Sequence, residues 1–307
     1  MGKSDVIITA QMSSLFIRDV LIPLAEGYAV TPGWPEETGG RPHGVTWHWT
    51  ATWDLAECRQ LLGGPNAQRR GIASAHYAVG RSREEGIDRY VLLEDRSWHA
   101  GKNQLLRWDG RPYERPEDKG ARTTIGVETV NIGFAREDVS ADGDWIEADT
   151  PGGARLLVQP WPEEQVAMMI ALGRLIVERW PNIGPRDHHG HHDLCPDYKS
   201  DVTGFPFARV LRGIYPDQDV PDVWSGLWTA RQRQAALVRL GYLDEPVDDI
   251  WGPDSRAALR RFQVAEGLHP DERWTTFVSW RVTELLGEAP SPEEDGAGDS
   301  EDVPASP

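Results

Sequence analysis

Residues 161–206 set a strongly apolar helix directly ahead of a segment crowded with ionisable side chains, and this pairing limits what the chain can fold into. In 161–180, Val166, Met169, Ile170, Gly173, Ile176, Val177 and Trp180 recur at helical spacing. Pro162 suits the first turn, Glu163 and Glu164 favour the positive end of the helix dipole, and Pro181 stops it. The segment 187–206, DHHGHHDLCPDYKSDVTGFP, follows with four histidines, several aspartates, Cys195 and Lys199. Such polarity next to a buried helix is costly unless it serves a ligand or stays in water. On composition alone a solvated loop remains open, and His43, His188 and His189 read as solvent-facing.

Strand patterns precede the helix. In 43–50, HGVTWHWT, the apolar Val45, Trp47 and Trp49 alternate with Thr46, His48 and Thr50. In 123–132, Ile125, Val127 and Thr129 share one face, and Gly126, Glu128 and Val130 the other. Residues 76–81 and 87–94 read as two more strands around a turn at Gly86, and 136–155 as a surface insertion. Strands mixed with helices predict an α/β domain, a mixed central sheet flanked by helices.

A linker at 215–225 leads to three short helices, expected at 229–240, 254–266 and 274–286, which read as an independent bundle. Thr229 and Gln232 form a capping-box pair, and Gly241 is placed to end the first helix. The expected organisation is an N-terminal extension at 1–24, a catalytic domain at 25–214, the linker, a helical module at 226–287 and a disordered acidic tail at 288–307.

The net charge is −17, of which the tail supplies −7. An acidic body lacks the basic patch that phosphate backbones require, so nucleic acid is not an expected partner. The two cysteines make no disulfide framework. No run reaches the roughly 18 apolar residues of a membrane span, and the partly apolar stretch 6–30 is interrupted by Arg18, Asp19 and Glu26, so neither membrane insertion nor a signal peptide is expected. A monomer made in the cytoplasm is the simplest expectation.

A catalytic zinc takes three protein ligands and leaves one position open. His48 on the polar side of its strand, with His191 and Asp201 in the polar segment, could supply such a site. Spacing does not separate them from His43, His188, His189 or His192.

Four stretches resemble the type-2, zinc-dependent N-acetylmuramoyl-L-alanine amidases, which are related to peptidoglycan recognition proteins and many phage endolysins. They are VTWHWTA at 45–51, WHAG at 98–101, IGVETVN at 125–131 and GHHDLCPDYKSD at 190–201, the last resembling a family loop of form GHxDxxPxxKxD. The resemblance implies zinc held by His48, His191 and Asp201, with Glu128 as general base and Lys199 beside the developing oxyanion. It implies that Trp98 and His99 line the substrate groove. Some relatives place Cys where Asp201 stands; Cys195, six residues earlier, reads as a loop residue.

The module is similar to a three-helix peptidoglycan-binding domain with the pattern LGY, DGxxGPxT, AxxxFQ. Here Asp249 stands at the usual Gly and Ser255 at the usual Thr, and a second DG is missing near 268–276. The expected substrate is bacterial peptidoglycan, glycan strand and stem peptide. An endolysin acting on the wall after release fits best; a cytosolic recycling amidase and a non-catalytic recognition protein are the alternatives. The absence of an HExxH helix weakens a stem-peptide zinc peptidase.

Overall fold

The computed structural model describes residues 16–23, 29–63, 73–100, 120–141, 143–195, 198–218, 220, 228–244 and 246–287. Most of the expected N-terminal extension, much of the linker and the acidic tail lie outside the described residues. In chain order the strands are β1 (Ile17–Asp19), β2 (Val30–Thr31), β3 (Gly44–Trp49), β4 (Tyr77–Val79), β5 (Ile87–Arg89), β6 (Arg96–Ser97), β7 (Thr124–Thr129), β8 (Ile146–Asp149), β9 (Arg155–Val158) and β10 (His188–Gly190). The helices are α1 (Leu55–Leu62), α2 (Gly120–Thr123), α3 (Glu163–Arg179), α4 (His191–Leu194), α5 (Phe207–Ile214), α6 (Ala230–Arg239), α7 (Pro253–Ala265) and α8 (Thr276–Leu286).

A six-stranded sheet runs β1-β5-β4-β7-β3-β10. The β4–β5 pair is antiparallel and the other pairs are parallel, so the sheet is mixed. Alternation along β3, β4 and β7 sends Val45, Trp47, Tyr77, Val79, Ile125 and Val127 to one face. There they share a core with Val166, Met169, Leu172 and Ile176 of α3 and with α5. Burying each such side chain contributes about 1.5–3 kcal/mol. Gln165 fixes the register of α3 on the sheet: its amide nitrogen donates to the carbonyls of Val79 (3.1 Å) and Val130 (2.9 Å) at the strand ends. The opposite face carries Thr46, His48, Gly126 and Glu128, and α1 covers one end of it through Leu55 and Cys58.

His188 and His189 are buried, not solvent-facing, and His43 is half-buried. The reason is that 188–190 forms the edge strand β10 beside β3. Tyr215 donates its hydroxyl proton to the Ile183 carbonyl (2.9 Å), so His188 Nε2–H donates to the Tyr215 oxygen (2.9 Å) and His188 Nδ1 accepts from Trp47 Nε1 (3.2 Å). The imidazole is a satisfied part of the core, and burial holds its pKa down at about 3.

The insertion at 136–155 is more than a loop. It contributes the β8–β9 hairpin, and that hairpin seats the C-terminal helices. Arg233 of α6 is fully buried; its guanidinium donates to the carbonyls of Thr150 (2.9 Å) and Asp149 (3.3 Å) and lies near the rings of Trp251 and Trp274. Asp149 accepts from the Ala230 amide (3.0 Å), and the Pro151 carbonyl accepts from the Trp274 amide (2.7 Å). The helices therefore do not stand apart as a bundle: Trp228, Leu237, Leu259 and Trp274 belong to the same apolar core as the sheet. No periodicity in either segment announces a contact between backbone carbonyls and an arginine some 80 residues away.

Within the module, the expected capping box forms at Thr229 and Gln232, and Gly241 takes a positive φ of 76°. Two turns of the same design join the helices. Asp248 accepts from the Ile250 amide and Gln234, whose side-chain oxygen accepts from the Asp249 amide. Asp271 accepts from the Arg273 amide and Gln263, whose side-chain oxygen accepts from the Glu272 amide. Asp249 (φ 61°) and Glu272 (φ 62°) both occupy the left-handed conformation that glycine adopts most readily. No described helix is long and apolar enough to cross a membrane.

Candidate metal and catalytic site

Register fixes the first two site residues. His48 on β3 pairs with Glu128 on β7, so both side chains rise from the same face of neighbouring parallel strands. The next pair down, Thr46 and Gly126, leaves a hollow. The His99 ring fills it, packed so closely on Gly126 that a Cβ there would collide with it.

His191 begins α4 directly after β10, and Asp201 follows ten residues later. The His192 amide donates to the Asp201 carbonyl (2.5 Å), closing this loop and bringing its two ends onto His48. His48 Nδ1 lies 3.0 Å from His191 Nδ1 and 3.2 Å from Asp201 Oδ2, and His191 Nδ1 lies 2.9 Å from the same oxygen. Among the described residues, this is the one group of His, Cys, Asp and Glu close enough to share an ion. His43, His188, His189 and His192 are not part of it.

The hydrogen bonds around His48 decide which nitrogen is free. A carbonyl only accepts, so His99 Nε2–H donates to the Thr124 carbonyl (3.0 Å) and His99 Nδ1 is an acceptor. His48 Nε2–H then donates to His99 Nδ1 (3.0 Å), and the neutral His48 presents a bare lone pair at Nδ1. That lone pair converges with His191 Nδ1 and a carboxylate oxygen, an arrangement that calls for a cation at its centre. Donors about 2.0–2.1 Å from a tetrahedral zinc stand about 3.3 Å apart, close to the observed separations. The donor set thus fits the metal.

Electrostatics agree with this. Burial, then the neighbouring His191, lowers the His48 pKa to about 4, which leaves it neutral and able to ligate. Burial also opposes ionisation of Asp201, but the charge and hydrogen bonds of His191 and His48 outweigh it and hold the carboxyl well below its usual range. Burial, reinforced by Asp201 and only partly offset by Lys199, pushes the Glu128 carboxyl well above its usual range. Glu128 Oε2 is buried without a hydrogen-bond partner. Lys199 is half-buried, and its charge reaches both His48 and Glu128.

Both polar handles of the WHAG pair are engaged inside the protein. Trp98 Nε1 donates to Thr31 Oγ1 (2.9 Å), and both His99 nitrogens are used as described. The Trp98 ring is half-buried, and His99 is hydrogen-bonded to His48. The WHAG motif was the only sign of His99 in the sequence, and it did not reveal this direction.

A mixed sheet that presents a His–His–Asp donor set beside a buried glutamic acid has the arrangement of a metal-assisted hydrolase. The family model described as N-acetylmuramoyl-L-alanine amidase matches residues 38–202, more than half of the chain, and a peptidoglycan binding domain matches residues 230–276. The chain belongs to the N-acetylmuramoyl-L-alanine amidase family: it is a hydrolase of peptidoglycan with a peptidoglycan-binding module. Similar solved structures include AmpDh3 from Pseudomonas aeruginosa, at 22% identity over 80% of this chain and 93% of that one (TM-score 0.46). Another is AmiD from E. coli, solved with an anhydro-N-acetylmuramic acid peptide, at 20% identity over 87% and 94% (TM-score 0.45). The catalytic domain of XlyA aligns at 19% identity over 65% and 99% (TM-score 0.39). No curated protein matches the chain.

Proposed function

We propose that this amidase cuts the bond between the lactyl carbonyl of N-acetylmuramic acid and L-alanine with zinc held by His48, His191 and Asp201. The observation that carries this reading is the convergence of three buried donor atoms, each about 3 Å from the others, with the His48 lone pair directed inward by His99. Zinc at this position would lower the pKa of water towards about 7 and polarise the scissile carbonyl. Glu128 accepts the proton of the attacking water and returns it to the departing L-alanine amine. Lys199 brings positive charge to the side of Glu128 and His48, where the carbonyl oxygen becomes negative. The C–N bond breaks, a C–O bond forms, and the products are a muramic acid carboxylate and a free amino terminus.

We further infer that the substrate is the polymeric wall, as for an endolysin, and not a soluble recycled fragment. A peptidoglycan-binding module raises local concentration only on a polymer that offers many sites. Digestion of purified sacculi, followed by mass analysis, tests the reaction. Free lactyl carboxyl groups and new L-Ala amino termini are expected. New termini only within the stem peptide would overturn the assignment, and faster turnover of soluble muropeptide than of sacculi would overturn the polymer reading.

A further inference from the structure

The two histidines of the metal site are supported unequally. His48 is oriented through its second nitrogen by His99. His191 Nε2 is buried and has no hydrogen-bond partner, so its orientation depends on where α4 sits. α4 is a single turn, too short to hold a position through its own hydrogen bonds. Its third residue, Asp193, is fully buried. One oxygen of Asp193 accepts from the Gly190 amide (2.8 Å), immediately before His191. The same carboxylate accepts from the Thr276 amide (2.7 Å) and the Thr276 hydroxyl (2.9 Å) at the start of α8. The negative charge also faces the positive end of that helix, whose own N-cap residue, Thr275, makes no side-chain cap.

The near-repeat within the module shows that this contact is particular to α8. α7 begins at Pro253, which has no amide proton, three residues after Ile250. α8 begins at the corresponding position, three residues after Arg273, with Thr276. Thr276 thus supplies two donors where the first repeat supplies none. Further contacts stiffen the same seam: the His189 ring packs on Phe277 (4.8 Å), and Arg186 pairs with Glu284 and lies over Trp280 (4.6 Å).

We propose that Asp193, clamped by Thr276, is a positioning residue for His191, so that the wall-binding module completes the metal-binding loop of the catalytic domain as well as anchoring the enzyme. The proposal rests on the zinc reading above. It implies that metal and module stabilise one another, because coupling between two sites is reciprocal.

The test measures zinc affinity of the full chain by competition with a chromophoric chelator, alongside the thermal midpoint of the metal-free protein. Thr276→Pro removes both donors. It is compatible with the fold, because proline suits the first helical position and Thr275 is already extended (φ −85°, ψ 170°) as a residue before proline should be. Zinc affinity is expected to fall about tenfold, the lower end of what loss of an orienting partner costs. Thr276→Val, which removes the hydroxyl alone, should lower it by a smaller factor of about three. In the wild type, zinc should slow amide exchange across residues 278–282, and in Thr276→Pro it should not. Wild-type zinc affinity in Thr276→Pro, with unchanged exchange, overturns the proposal; if that variant fails to fold, wild-type affinity in Thr276→Val does so. A wild-type chain that takes up no zinc overturns the zinc reading instead.

Discussion

His48 and Glu128 stand side by side on β3 and β7, paired in register across two parallel strands that the sequence separates by 80 residues. One of them directs a bare nitrogen towards two further donors, and the other holds a buried carboxyl group with an unpartnered oxygen. Glu128→Gln keeps the size of that side chain and removes its basicity. Zinc content should stay at the wild-type level while kcat falls about 10²–10⁴-fold, the usual contribution of a general acid–base. Metal analysis paired with muropeptide turnover checks this; loss of zinc together with activity would place Glu128 among the ligands.

His99 fixes the proton of His48 on Nε2 and so frees Nδ1. His99→Ala should weaken zinc binding about 10–100-fold, as expected when a ligand histidine loses its orienting partner. His99→Gln, which keeps a carbonyl oxygen to accept from His48, should recover part of the affinity. A change confined to KM, with zinc binding intact, would return His99 to the substrate groove. Gly126→Ala should act like His99→Ala, because the added methyl displaces the ring from its hollow.

Buried histidines away from the donor set make the metal-free fold sensitive to acid. His76 and His188 are held neutral by burial, with pKa values of about 4 and 3 against 6.5 in an unfolded chain. Between those values protons bind the unfolded chain and not the native one. Stability is therefore complete above about pH 7 and declines as pH falls below 6.5, by roughly 2 kcal/mol per histidine at pH 5. Urea midpoints of metal-free protein from pH 7.5 to 5 should show the loss, and a flat profile would contradict the buried neutral state.

Glu272 adopts φ 62° in the second module turn, and its side chain makes only a long pairing with Arg260 (3.5 Å) at the surface. Glu272→Gly should raise stability by about 1 kcal/mol, because glycine relieves the left-handed strain. The equivalent change at Asp249 should gain less, since that carboxylate accepts from the Arg231 amide (2.9 Å). Chemical denaturation of the two variants checks the order.

Local pattern was enough to predict several elements. The alternation of Val45, Trp47 and Trp49 against Thr46 and His48 predicts β3, the spacing from Val166 to Ile176 predicts α3, and the Thr229–Gln232 pair predicts the start of α6. These signals are legible because side-chain periodicity and helix caps act over a few residues. His191 and Asp201 were implied together only by the family resemblance of GHHDLCPDYKSD, since spacing alone left the other histidines open. Tertiary structure decided what depends on distant partners. It buried His188 and His189 by adding β10 to the sheet edge, joined His99 to His48 by a hydrogen bond, and seated the module on carbonyls of the β8–β9 hairpin. A hydrogen bond between residues tens of positions apart leaves no period in either segment. The sequence therefore determined the elements and, through the family resemblance, pointed to the donor residues, while the pairing of strands and modules determined which atoms of His48, His191 and Asp201 converge and what holds them there.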